Sequence, residues 1–118
     1  MQAKASINQK VTVPNGTTTA TVVLGPIDVS DIQLLNIVTK TTSALTATTP
    51  VITVEISPSE TDDVWISTSQ TVTASGTEDA VVAGTINTSF LAKRARLVLS
   101  HGGFTGGSFD AYIIGRGV

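Results

Sequence analysis

The fold of this chain is decided by one stretch of its sequence, Lys93-Arg-Ala-Arg-Leu-Val-Leu-Ser-His-Gly-Gly-Phe-Thr-Gly-Gly-Ser-Phe-Asp-Ala-Tyr-Ile-Ile-Gly-Arg-Gly-Val118. Apolar residues occupy alternate positions of its first part, at Ala95, Leu97 and Leu99. Arg94 and Arg96 alternate with them and therefore point out of the core. The stretch predicts two β-strands, 94–100 and 109–115, joined by a glycine-rich turn, with the second strand running almost to the last residue.

Similar runs recur upstream at intervals of about ten residues, and turn-forming Gly, Pro, Asn or Ser separates them. Six further strands are predicted, in residues 5–13, 18–24, 31–42, 51–56, 64–73 and 78–86. No segment keeps helical spacing, and the one candidate, residues 87–94, is at most a single turn. We predict an all-β, single-domain antiparallel β-sandwich over residues 1–118, jelly-roll-like, with about eight strands and no substantial helix. Residues 1–6 are expected to be either an extended arm or a disordered tail.

Turn-forming residues and strand register predict three local features of the fold. The second strand is expected to stop at Gly25-Pro26. The Thr-rich residues 41–49 are interpreted as a loop closed by Pro50. Trp65 is exposed if its neighbours face the core, and it is in the core if the register is reversed, because a slip of one residue exchanges the faces of a strand.

Composition narrows the class of protein. Apolar residues make up 41% of the 118 residues and charged residues only 14%. A net charge of −2 gives no long-range attraction for nucleic acid or an anionic membrane, so neither partner is expected. The sequence has no cysteine, no apolar run long enough for a membrane helix and no signal-peptide pattern after Met1, so classical secretion is not expected.

Groups capable of catalysis or metal binding are few. Glu55, Glu60, Asp62 and Asp63 cluster around one loop and offer hard oxygen ligands for calcium, but they lack the strong motif spacing, so a solvated loop is favoured. His101 lacks a partner and a nucleophile nearby in sequence, which favours a turn residue over a catalytic base. The glycines of residues 102–107 precede a strand, whereas phosphate loops open a helix. We therefore predict a protein that is not an enzyme and has no cofactor or metal.

The basic residues Lys93, Arg94 and Arg96 are the best candidates for a partner interface, with Trp65 as a further anchor. Arg pairs well with carboxylates of an acidic partner, although an ordinary solvated face explains the same residues. A carbohydrate- or receptor-binding module is an alternative, and it predicts an exposed aromatic platform around Trp65 and Tyr112.

Four segments resemble small virion proteins of tailed bacteriophages, in particular capsid decoration (cement) proteins; they are Thr71–Thr77, Ala80–Val82, Lys93–Leu99 and Phe109–Gly115. The resemblance spans most of the chain but lies in its general character, a short, cysteine-free β-domain rich in Thr and Val. It includes no diagnostic motif and carries over no functional residue. It implies a structural protein made in the host cytoplasm that binds the major capsid protein or another virion protein and stabilises the outer capsid surface. A homo-oligomer, with a trimer favoured, is expected to bury the remaining apolar surface. A neck, tail or head-fibre component is the alternative location.

Overall fold

The computed structural model describes residues 6–47, 49–86 and 92–117, and in these ranges the chain forms eight strands and no helix. The strands are β1 (Ser6–Pro14), β2 (Thr21–Asp28), β3 (Leu34–Thr46), β4 (Val51–Ser57), β5 (Ile66–Thr73), β6 (Val81–Ile86), β7 (Arg94–His101) and β8 (Gly106–Arg116). Their number and approximate positions confirm the all-β prediction.

The strands form two four-stranded antiparallel sheets packed as a sandwich. One sheet has the order β1-β8-β3-β6, and we call it sheet A; the other has the order β2-β7-β4-β5, and we call it sheet B. Successive strands alternate between the two sheets, apart from the β4–β5 hairpin. This interleaved order of two facing sheets is that of a jelly roll, which confirms the predicted fold class.

The glycine-rich turn of the opening stretch joins the two sheets and does not form a hairpin, because β7 lies in sheet B and β8 in sheet A. Phe104 from this connection is buried between the sheets, and its ring centroid lies 5.7 Å from that of Phe109. The predicted glycine-rich turn is therefore a connection from one sheet to the other, and the burial of Phe104 stabilises it.

The core consists of the inward rows of both sheets. The alternation predicted for β7 is confirmed, because Ala95, Leu97 and Leu99 are fully buried while Arg94 and Arg96 face outward. In β8 the inward row is Phe109, Ala111 and Ile113, all fully buried. The two strands supply facing apolar surfaces, one from each sheet.

Strand β2 continues past Gly25-Pro26, where the sequence predicts its end. The register with β7 shifts between Leu24 and Ile27, which marks a bulge at the glycine and proline. Gly25 has a φ of +108°, and a Cβ there would lie only 2.9 Å from the carbonyl oxygen of Ala95. Since β2 is an edge strand, Pro26 removes no ladder hydrogen bond that the sheet needs.

Strand β3 extends to Thr46, so most of the Thr-rich segment is strand and not the expected loop. Thr39 and Thr41 occupy the inward row after Leu35 and Ile37, and both are buried. The hydroxyl of Thr41 donates to the backbone carbonyl of Ser75, which offsets the cost of burying a polar group. Strand β3 is a central strand of sheet A, because it lies between β8 and β6.

Some expectations fall outside the described residues. They concern most of the N-terminal arm or tail of residues 1–6 and the greater part of the single helical turn of residues 87–94, whose last residue, Arg94, begins β7. Within the described ranges, no helix has the length and apolar character required to span a bilayer.

Adjacent isoleucines of β8 provide a test of the two faces. We expect Ile113→Ala to lower the free energy of unfolding by about 2–5 kcal/mol, because Ile113 is fully buried and its loss leaves a cavity. Ile114→Ala, one position along on the exposed face, is expected to cost less than about 1 kcal/mol. Urea unfolding of both variants measures the difference, and equal losses would contradict the assigned register.

Candidate functional site

The residues predicted as a partner interface lie together at one end of sheet B. Arg94 is the first residue of β7 and pairs with Ser57, the last residue of β4, and Arg96 pairs with Glu55. Their side chains stand on the outer face of the sheet because the alternate residues of β7 fill the core. Lys93 immediately precedes β7 and is exposed.

Trp65 lies on this outer face beneath the two arginines. It immediately precedes β5, and its ring centroid is 4.9 Å from the guanidinium carbon of Arg94 and 4.1 Å from that of Arg96. Neither alternative stated for Trp65 is correct in full: it is outside the core, as the first requires, but Val64 and Ile66 are exposed and not core residues. The arginines cover the ring, so Trp65 is half-buried.

Arg96 forms an ion pair with Glu55. The Nε of Arg96 donates to Oε1 of Glu55 over 2.8 Å, and an Nη of the same guanidinium lies 2.7 Å from the same oxygen. Both side chains are 24% exposed, so water screens the pair only in part. Trp65 and Glu55 together hold the guanidinium in one position.

Arg94 fixes the loop between β4 and β5. Its Nε donates to the carbonyl oxygen of Ser59 over 2.9 Å, and an Nη donates to that of Asp62 over 2.6 Å. Because these contacts use backbone oxygens, the exposed carboxylates of the loop are left pointing to solvent. No group of three or more metal-ligating side chains occurs among the described residues. The calcium alternative loses one of its ligands, since Glu55 binds Arg96.

His101 and Tyr112 lie apart from this cluster. His101 is the exposed last residue of β7, paired with Val51, and is thus a strand residue and not the expected turn residue. Tyr112 lies on the outer face of sheet A, opposite Lys10 and Val38. Since Trp65 lies on the outer face of sheet B, Tyr112 and Trp65 do not form the shared aromatic platform that the carbohydrate alternative requires.

Sequence reasoning missed a second surface feature, a groove on the outer face of sheet A of about 340 Å³. Its lining residues come from β3 and β8 and are Leu34, Asn36, Ile114, Gly115 and Arg116. The signal for it was the near-continuous apolar character at the start of β3, which places Leu34 on the outward row. We call it the β3–β8 groove.

The cluster at the end of sheet B provides fixed hydrogen-bond donors beside an aromatic ring, an arrangement suited to binding. A guanidinium carries five N–H donors, and the contacts above leave several of them on each arginine for an external acceptor. We define the Arg–Trp surface as Trp65, Lys93, Arg94 and Arg96.

Comparison with known proteins leaves the family of this chain open. No family model matches it, and no curated protein matches it. Among solved structures, it is similar to a protein of Bacillus endospore appendages, which form a novel family of disulfide-linked pili, at 19% sequence identity and a TM-score of 0.42. That match covers 99% of this chain and 93% of the other. A likeness at this TM-score carries no argument about function.

The single tryptophan of the chain makes the stack measurable by fluorescence. We expect Arg96→Ala to shift the emission of Trp65 to longer wavelength and to increase its quenching by acrylamide, because water replaces the guanidinium over the ring. The free energy of unfolding is expected to fall by about 0.5–2 kcal/mol. Lys93→Ala, a neighbouring change outside the stack, is the control and should leave the emission unchanged. Equal spectra for all three proteins would contradict the stacked geometry.

Asp28, the last residue of β2, pairs with Arg94 of β7, and its carboxylate is expected to make the stability of the protein depend on pH in the acid range. A backbone hydrogen bond from Ser30, together with one from its hydroxyl, lowers the pKa of Asp28 below its ordinary value of 3.8, and the charge of Lys93 adds to the effect. A carboxylate with a lowered pKa in the folded state stabilises the protein above its unfolded-state pKa, and this contribution is lost as the pH falls through the folded-state pKa.

We therefore expect the stability difference between the wild-type protein and Asp28→Asn to be constant above about pH 5 and to shrink below that. Chemical denaturation from near-neutral pH to below the pKa of Asp28 measures it. A difference that grows on acidification would show that the charged form of Asp28 is not the stabilising one.

Proposed function

We propose that this protein is a non-enzymatic structural protein that binds the outer surface of a bacteriophage capsid and stabilises it. The observation that carries the proposal is the Arg–Trp surface. It is a compact cationic and aromatic cluster on a sheet whose other outward residues are mostly Thr, Ser and Val.

The composition of this surface suits a protein partner. Trp and Arg are the residues most often found to dominate the energy of protein interfaces. Glu55 and the backbone of the β4–β5 loop already hold the two guanidinium groups in place. A partner that binds them therefore loses less side-chain entropy than it would on binding mobile arginines.

The charges of the surface indicate the chemistry of the partner. Glu55 neutralises Arg96, and Asp28, which pairs with Arg94 and lies near the charge of Lys93, offsets part of the charge of these two residues. The surface thus retains part of its positive charge and several unused guanidinium N–H groups beside an exposed part of an indole ring. A shell surface that presents carboxylates or free carbonyl oxygens is complementary to it.

The fold is compatible with this function. Jelly rolls occur in viral capsid proteins and also in lectins and cupins, so the architecture by itself does not select among these classes. Support for the capsid over the carbohydrate alternative comes from the separation of Trp65 and Tyr112 onto opposite sheets. The proposal includes a homotrimer that binds the shell at sites of threefold symmetry.

The test uses purified phage shells that lack the protein. We expect the added protein to co-sediment with the shells and to raise their melting temperature by several degrees, because a ligand that binds only the intact shell stabilises it by mass action. Lys93→Glu should weaken co-sedimentation by about tenfold or more, since it places a negative charge where an acidic partner binds.

Lys40→Glu is the matched control, because Lys40 is exposed on the outer face of sheet A and the change in charge is the same. Absence of co-sedimentation together with an unchanged shell melting temperature would refute the proposal. Binding of the labelled protein at the neck or tail of whole particles, seen by electron microscopy, would transfer the function to the alternative location.

A further inference from the structure

The outer face of sheet A has an apolar groove at one end that is open to solvent. Leu34 and Ile114 lie on adjacent strands in the β3–β8 groove and are 43% and 40% exposed. Apolar side chains of this size gain about 25 cal/mol for each Å² removed from water. Two of them side by side in a concave site therefore favour an apolar occupant.

The groove has one charged lining residue, the exposed Arg116. Lys10 lies further along the same outer face. The one carboxylate among these outward residues, Asp110, is largely buried; it accepts a hydrogen bond from Thr12 over 2.7 Å and lies 4.0 Å from Lys10. The occupant that fits this face is apolar and negatively charged.

The chain itself presents a segment with that chemistry. Residues 60–66, which we call the acidic segment, carry the exposed carboxylates of Glu60, Asp62 and Asp63 followed by Val64 and Ile66, which are 49% and 52% exposed. Arg94 holds the backbone of this segment through the carbonyl of Asp62, so the segment is positioned before it binds.

The apolar part of the acidic segment is separate from the Arg–Trp surface. Ile66 pairs with Ile56, which packs against the core, so Ile66 points toward the inner side of sheet B at its edge. Trp65, one residue earlier, lies on the outer face. One short segment therefore offers Trp65 in one direction and Ile66 in the other.

We infer that the β3–β8 groove of one copy of this chain binds the acidic segment of a second copy. Leu34 and Ile114 receive Val64 and Ile66, while Arg116 pairs with a carboxylate of Glu60 or Asp63. The contact is heterologous, because the two partners use different surfaces, and it can repeat from copy to copy.

The two surfaces lie at the same end of the sandwich. The acidic segment follows Ser57, which shares a row of sheet B with Arg94 and with Asp28 at the end of β2. Residues 29–33 lead directly from that end to Leu34, which pairs with Arg116 at the groove. A repeated contact between them closes into a ring or extends as a filament, according to the rotation between successive copies.

A charge exchange between two variants tests the contact. The first variant is Arg116→Glu, and the second is Glu60→Lys with Asp63→Lys. Each alone is expected to associate with itself at least about tenfold more weakly than the wild-type protein, because like charges meet at the contact. Mixing the two should restore association, since the acidic groove of the first faces the basic segment of the second, and the remaining contact is the natural one.

Sedimentation velocity over a range of concentrations measures self-association. Binding of the second variant to the first is measured with the first variant immobilised on a sensor surface. Lys40→Glu is the control. Lys40 of β3 pairs with Asp110 of β8, which places it about 20 Å from Arg116, beyond the screening length in physiological salt. Thermal unfolding of each variant checks that these exposed substitutions leave the fold intact.

Recovery of binding in the mixture, together with self-association of Lys40→Glu as tight as that of the wild-type protein, supports the contact. The inference is overturned if the wild-type protein is monomeric throughout the concentration series, or if Arg116→Glu associates as tightly as the wild-type protein. These results are independent of the shell-binding test, which depends on Lys93.

Discussion

The burial of one apolar row from sheet A against one from sheet B is the constraint on which the rest of the structure depends. Strand β7 supplies Ala95, Leu97 and Leu99 to this interface, and β8 supplies Phe109, Ala111 and Ile113 from the other sheet. Each large side chain buried in this way contributes about 1.5–3 kcal/mol. An exposed ion pair contributes about 0–1 kcal/mol. The core therefore determines the fold, and the charged clusters add little to its stability.

This constraint makes the outer faces available for function. Because the inward rows are committed to the core, several of the alternate residues of β7 and β8 are presented to solvent or to a partner. On sheet B the presented residues form a fixed stack of two arginines on Trp65, braced by Glu55. On sheet A they form a groove of apolar residues with Arg116 as its one charged lining residue. Two chemically different surfaces thus arise from one pattern of alternation.

The β4–β5 loop is held in place by the Arg–Trp surface. Its backbone carbonyls bind Arg94, which ties the loop to the stack, while its carboxylates stay exposed. The same contacts explain why the loop is a poor cation site: its backbone oxygens at Ser59 and Asp62 accept from a guanidinium, and Glu55 is held by Arg96. A loop that sequence alone describes as merely solvated is therefore a positioned element.

Local patterns predicted much of this. The period-two alternation of β7 correctly separated inward Ala95, Leu97 and Leu99 from outward Arg94 and Arg96, because side-chain direction in a strand depends on position along it. The same reasoning failed where a distant partner decides. Thr41 is in a strand because it pairs with Phe109 of β8, and its buried hydroxyl donates a hydrogen bond to the carbonyl of Ser75. Strand β2 passes Gly25-Pro26 because an edge strand tolerates a bulge there.

The sequence by itself determined that this chain forms β-strands, where most of them lie and which side chains of each strand face the core. The tertiary structure alone decided that β7 and β8 belong to different sheets, that Trp65 lies beneath two arginines, and that Leu34 and Ile114 share a groove with Arg116. The physical reason is that alternation is a property of one strand. Pairing and packing join residues far apart in the chain, and their energies depend on which surfaces meet.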